Sequence, residues 1–114
     1  MIGFTLIAAA TAASQPLEPV VEADLRCVTA LLYAVGEAGE KKDEKSSGLL
    51  IAAVAYYVGR LDARSPGLDY GGHIKRLASS PEFGKQLSGE IQRCAVESGT
   101  AMQAVGNAAQ TVGK

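Results

Sequence analysis

The chain has 114 residues, with eleven basic and twelve acidic side chains, two Cys, one His and no Trp. That length suits one domain and is too short for two. The near-balanced charge leaves no field to hold nucleic acid or an anionic membrane surface, and two Phe with four Tyr are too few for a base-stacking platform.

Residues 1–14 read as a signal peptide. An apolar run meets small residues, and Gln15-Pro16 ends the pattern. Ala10-Thr11-Ala12 or Ala12-Ala13-Ser14 fits the small-x-small cleavage rule. No Lys or Arg precedes the run and the segment is short, which a start codon assigned too late would explain. The competing reading is a short apolar helix that is never cleaved. The expected mature chain, residues 15–114, is a single helical domain, periplasmic or secreted. In such a compartment Cys27 and Cys94 read as one disulfide bond. In the cytosol they would be two buried thiols. Neither has a second Cys at metal-ligand spacing, and His73 is the lone His, so no metal and no cofactor are expected.

Pro19 suits a first helical position. Val21, Leu25, Val28, Leu32 and Val35 then follow a 4-3-4-3 spacing, with Leu31 widening the stripe, and predict a helix to about Glu37. Glu22 and Asp24 sit near its start, where the helix dipole favours acids. Cys27 lies one step beside the stripe. Residues 38–48 are rich in mixed charge, Gly and Ser, and read as a solvated linker; the alternative is a docking strip for a charged partner.

Residues 49–58 are apolar on every side, the mark of a buried helix. Ten residues rise only about 15 Å, half a bilayer core, so this is expected to be a core helix and the mature chain to have no transmembrane span. Ser46 or Ser47 would cap it. Tyr56 and Tyr57 point about 100° apart, one toward the core and one toward an edge. Pro66-Gly67 ends the helix. Asp69 caps a short helix with Ile74 and Leu77 inward, weakened by about 1 kcal/mol at each of Gly71 and Gly72.

Ser80-Pro81-Glu82 is a strong helix start. Phe83, Leu87, Ile91, Cys94, Met102, Val105, Ala109 and Val112 form a stripe of threes and fours, with the gap after Cys94 bridged by Ala95 and Gly99. The segment is one long helix or breaks near Gly99. The whole is an all-α, four-helix domain around a buried central helix (about 47–64), with a long C-terminal helix.

Residues 56–67 resemble a group of small exported bacterial helical proteins of no known activity. The likeness rests on a Gly-Arg-Leu-x-x-Arg-x-Pro-Gly stretch (Gly59 to Gly67), an Arg-Cys pair in the first helix (Arg26-Cys27), a signal segment, and a later Cys in the last helix (Cys94). It implies an exported, disulfide-bonded helical fold and brings no function with it. More loosely, the layout is similar to that of the small acid-stress chaperones of the periplasm, which are helical with one disulfide. Their cysteines are closer together, and no motif is shared.

The densest polar group is Tyr57, Arg60, Asp62, Arg64, Asp69, Tyr70 and His73, around the turn after the central helix. Arg60 and Arg64, four apart, could take a carboxylate or phosphate. Asp69 and His73 could pair. No nucleophile stands beside a base and no loop cradles phosphate, so no catalytic residue is expected. The plainer reading is that Arg60 or Arg64 pairs with Asp62 or Asp69 and pins the turn. A second surface is Met102, Val105, Ala109 and Val112, a candidate association face. The function expected is a non-enzymatic cell-envelope interaction module, with chaperone-like action among its forms. The alternative is a self-associating structural protein that uses its Ala/Gly-rich last helix; an enzyme ranks below both.

Overall fold

The computed structural model describes residues 16–113. Among them are four helices and no strand: α1 (Pro19–Glu40), α2 (Glu44–Arg64), α3 (Tyr70–Ala78) and α4 (Pro81–Val112). The all-helical architecture and the long last helix are those expected. The proposed signal peptide at residues 1–14 lies outside the described residues. No helix among those described is long and apolar enough to cross a membrane.

The centre of burial differs from the expectation. α2 covers residues 47–64, but only Ala53, Tyr57 and Leu61 of it are buried. Leu49 is 63% exposed and Ile51 is exposed as well. The helix with the most extensive packing on the others is α1, where Val21, Asp24, Leu25, Cys27, Val28, Thr29, Ala30, Leu31 and Ala38 are buried. Apolar composition all round had pointed to α2 as the core helix. Its neighbours cover only one side of it. Within α1 Leu31 is buried, whereas Leu32 is exposed, although it lies within about 20° of Leu25 around the helix; the cover over that side of α1 ends before its last turns.

The linker also contracts. α1 runs on to Glu40 and only Lys41, Lys42 and Asp43 connect it to α2. The turn is a Schellman motif: Asp43 N–H donates to the Ala38 carbonyl (2.9 Å) and Lys42 N–H to Gly39 (3.1 Å). Lys42 takes the left-handed position, φ 56°, where Gly is the usual choice. The α2 cap is Asp43, accepting from Ser46 N–H at 3.1 Å, rather than Ser46 or Ser47. A carboxylate at the N-cap serves both the orphan donors and the helix dipole.

The other starts fall where expected. Asp69 caps α3 by accepting from Gly72 N–H at 3.0 Å. A Cβ at position 72 would collide with that carboxylate, so Gly72 is required by the cap it seemed only to weaken. Ser80 caps α4 through Phe83 N–H at 3.3 Å. α4 is continuous through Gly99 for 32 residues, about 48 Å. Its stripe runs Phe83, Cys94, Ser98: the buried residue in the gap is Ser98, not Ala95 or Gly99. Ser98 can be buried because its hydroxyl donates to the Cys94 carbonyl at 2.8 Å. Cys27 and Cys94 form a disulfide, S–S 2.09 Å and Cα–Cα 5.5 Å, in the core with Leu25, Leu31, Tyr57, Leu61, Leu77 and Phe83.

Candidate functional site

Three helices meet at one cation. Arg60 rises from the last turns of α2 and its Nε stands 3.2 Å from Asp24 Oδ2 of α1. Its Nη1 lies 3.8 Å from Glu97 of α4 and donates to the Tyr56 hydroxyl at 3.0 Å. The guanidinium stacks over the Tyr56 and Tyr57 rings, 5.5 and 5.8 Å to the centroids. Tyr57 is fully buried, and its hydroxyl donates to Glu97 Oε1 at 2.6 Å and approaches the Cys94 carbonyl at 3.0 Å. Burial, then the Glu97 hydrogen bond, push the Tyr57 phenol well above its ordinary range.

Asp24 is the unusual member. It is only 2% exposed, and no N–H is aimed at its Oδ2 despite the nearby Arg60. Burial raises its pKa above the ordinary aspartate value; Arg60 opposes that rise, while Glu97 adds to it. One cation thus faces two carboxylates, with the buried one taking the larger desolvation penalty.

The polar group read from the sequence therefore splits. Tyr57 and Arg60 belong to this cluster. Asp62 accepts from the Tyr70 hydroxyl at 2.5 Å; burial and that bond push the Tyr70 phenol up to about 12. Asp69 is a cap and does not hold His73, whose Nδ1 lies 3.3 Å from Arg76 instead. Arg64 is exposed, and its charge, like that of Arg60, draws the Asp24 pKa down. The expected partner of Arg60, Asp62 or Asp69, is replaced by Asp24, because α1 rather than the turn lies under the guanidinium. Asp24 and Glu97 were missed, although a signal existed. Asp24 stands three residues from Val21 and four from Val28, on the core face, where a charge requires a partner. Glu97 stands one turn beyond Cys94.

A second ionic group clamps α4 to α1. Glu90 accepts from Arg93 at 2.8 Å and lies 3.4 Å from Arg26; the Arg93 bond, chiefly, holds its pKa below the ordinary value. Arg93 also reaches Cys27 Sγ at 3.3 Å, and Arg26 lies over the Phe83 ring at 5.1 Å. On the other side Arg76 of α3 donates to both Glu22 oxygens at 2.5 and 2.9 Å. Each of these cations is answered by protein groups, and the clusters act as ties between helices. Among the described residues no three His, Cys, Asp or Glu come together as a metal site.

The candidate association face behaves differently. Met102 packs against the core. Val105 and Val112 are 70% and 87% exposed, and Ala109 is exposed beside them. They continue the helical face that carries Cys94 and Ser98, beyond the point where the domain covers it. Residues 98–113 contain no ionisable side chain. Where this half of α4 leaves the domain, a groove of about 400 Å³ opens between two walls. α2 contributes Leu49, Leu50 and Ala53; α4 contributes Ala95, Gly99 and Met102. No charged residue lines it.

Neither a scan against protein-family models, nor a search of curated proteins, nor a search of solved structures found a match for this chain.

Proposed function

We propose that this chain is an exported, non-enzymatic interaction module of the cell envelope, in which a disulfide-clamped helical domain holds out the second half of α4 to a protein partner. The observation that carries the reading is the uncharged arm at residues 98–113, with Val105 and Val112 exposed. A surface helix that served only the monomer would turn charged residues to water. This one turns an apolar and small-residue face outward, and an unpartnered face of that kind marks a contact site. Its helix is also weak alone: Gly99 and Gly106 each cost about 1 kcal/mol against Ala, and most helical stability in proteins comes from packing. The buried disulfide fits an oxidising compartment, which supports export with removal of residues 1–14. The polar clusters are consumed in holding helices together, which favours a binding role over catalysis.

The test uses a photoreactive residue at Val105 in the full-length protein expressed in cells, with one at exposed Lys75 as control. The expected result is a cross-linked product from position 105 in the envelope fraction, carrying the mature mass, and none from position 75. No product from position 105 would overturn the reading.

A further inference from the structure

We infer that the Cys27–Cys94 bond is a polarised exchange site: a small thiol that cleaves it is captured on Cys94, while Cys27 leaves as a thiolate held by Arg93. The inference does not depend on the α4 arm. Arg93 of α4 crosses to α1 and places its Nη2 3.3 Å from Cys27 Sγ. The polar bonds at Cys94 are of another kind. Among the described residues they end on its carbonyl oxygen, from the Tyr57 and Ser98 hydroxyls, and not on its sulfur.

The unfolded chain would not tell the two sulfurs apart. Each cysteine follows an arginine, Arg26-Cys27 and Arg93-Cys94. The fold breaks that equivalence. Arg26 is engaged by Glu90, Gln86 and the Phe83 ring, whereas Arg93 reaches the sulfur on the other helix. Glu90 answers both arginines, so the group of three keeps one positive charge in excess beside Cys27. The other acids near Arg93, Asp24 and Glu97, stand against Arg60. Tyr57 of α2 keeps its proton throughout the thiol range, because burial and the Glu97 bond push its phenol far up. α3 meets the core with Leu77 and brings no charge there.

A cation beside a thiolate stabilises it, and apolar burial opposes it. Both sulfurs are fully buried, so burial is common to the two and the guanidinium is the difference. In exchange, the sulfur whose thiol is more acidic leaves faster. An incoming thiolate therefore bonds to Cys94 Sγ. The S–S bond breaks, and its electron pair passes to Cys27 Sγ, where Arg93 faces the new charge. A second thiolate attacks the captured sulfur, releases a small disulfide and leaves Cys94 as a thiolate. The two thiols supply the two electrons. Because the bond is buried, exchange waits for α4 to lift from α1. Arg93 precedes Cys94 in the chain, and the bond holds the two Cα atoms 5.5 Å apart, so the cation stays beside the pair until the bond is cut.

The test treats the folded, oxidised protein with mercaptoethanol, an uncharged thiol, at neutral pH. Acid quenching and peptide mapping at acid pH then read which cysteine carries the adduct. The adduct on Cys94 is expected to exceed that on Cys27 by about tenfold, the effect of a one-unit difference between the two thiols. In unfolding concentrations of urea the ratio is expected to fall to near one, since each cysteine then has only its own arginine. Arg93→Gln alters a side chain that is 43% exposed and is expected to remove the excess, and Arg93→Lys to restore part of it. A purely structural role for Arg93 would speed cleavage at both sulfurs and leave their ratio unchanged. Equal capture in the folded parent would overturn the inference, as would an excess on Cys27 or an undiminished excess in urea. A ratio that Arg93→Gln leaves unchanged would do the same, and so would a folded parent that no concentration of the thiol cleaves. The urea comparison uses the parent alone and decides the matter even where a variant does not fold.

Discussion

The two halves of α4 are built from similar small and apolar residues, and their fates are opposite. The first half, to Ser98, is tied to the domain by the Cys27–Cys94 disulfide, the Arg26–Glu90–Arg93 group, and the Tyr57 bonds to Cys94 and Glu97. The second half has Met102 on the core and leaves Val105 and Val112 in solvent. Charge runs the wrong way for a monomer. The packed half contains Glu82, Lys85, Glu90, Arg93 and Glu97, and the exposed half has none before its end. An exposed helix without charge reads as a surface awaiting a neighbour, whereas charges at the edge of a packed helix serve as ties.

The largest effect should come from cutting the tie in the packed half. The disulfide closes a loop with a sequence separation of 67, and constraining a loop of that length in the unfolded chain is worth about 4 kcal/mol in the loop-entropy model. Replacing both cysteines by Ala is expected to lower stability by about that amount, measured by urea unfolding. A loss below about 1 kcal/mol would mean that the ionic ties hold α4 without the bond, against the loop-entropy expectation.

The sequence let this half be read correctly and the centre of the fold less so. Cap chemistry is local, so Ser80, Asp69 and Pro81 marked their helices plainly. The stripe through Phe83 and Cys94 was legible because packing repeats with the helical period. Which helix sits in the middle was not, because composition says that a face can be buried and not whether a neighbour arrives to bury it: Leu49 and Ile51 are as apolar as Leu25 and Leu31, yet exposed. The ion cluster failed for a related reason. Arg60 has acids close by in sequence, but its partners come from two other helices. The exposed apolar stripe at Val105, Ala109 and Val112 is visible in the sequence spacing, while the α2 wall of the groove depends on the tertiary arrangement.

Next in size is Arg60→Ala, which tests whether the cation is a tie. It removes the neighbour of a buried carboxylate, and breaking such a pair costs about 3 kcal/mol at neutral pH. The pH dependence has a definite sign. Asp24 is held above its ordinary value, mainly by burial, so the folded chain binds that proton more tightly than the unfolded one. This contribution to stability is therefore complete below the unfolded pKa and is lost as pH rises through the folded one. Arg60 pulls the value down, so removing it widens that window upward. The deficit of the variant should be largest at neutral pH and shrink toward about pH 4, the ordinary aspartate range, leaving the lost stacking on Tyr56 and Tyr57. Asp24→Asn in the same background should abolish that dependence. Equal deficits at both pH values would mean that Arg60 acts by packing alone.

The smallest effect on stability should come from deleting the exposed half, and its smallness is what makes the comparison sharp. A chain ending at Gln103 keeps Met102 and every tie of the packed half: the disulfide, Glu90, Arg93, Glu97 and Ser98. It loses Val105, Ala109 and Val112, of which the two valines are 70% and 87% exposed. No side chain from residue 104 to residue 113 belongs to the core cluster or to its half-buried surroundings. Surface changes away from such features usually stay within about 0.5 kcal/mol, so the shortened chain, unfolded in urea at high dilution, should match the parent to that margin. A loss of more than about 1 kcal/mol at high dilution, twice the margin for surface changes, would mean that the arm stabilises its own monomer by folding back on the domain, and the contrast between the two halves of α4 would then disappear.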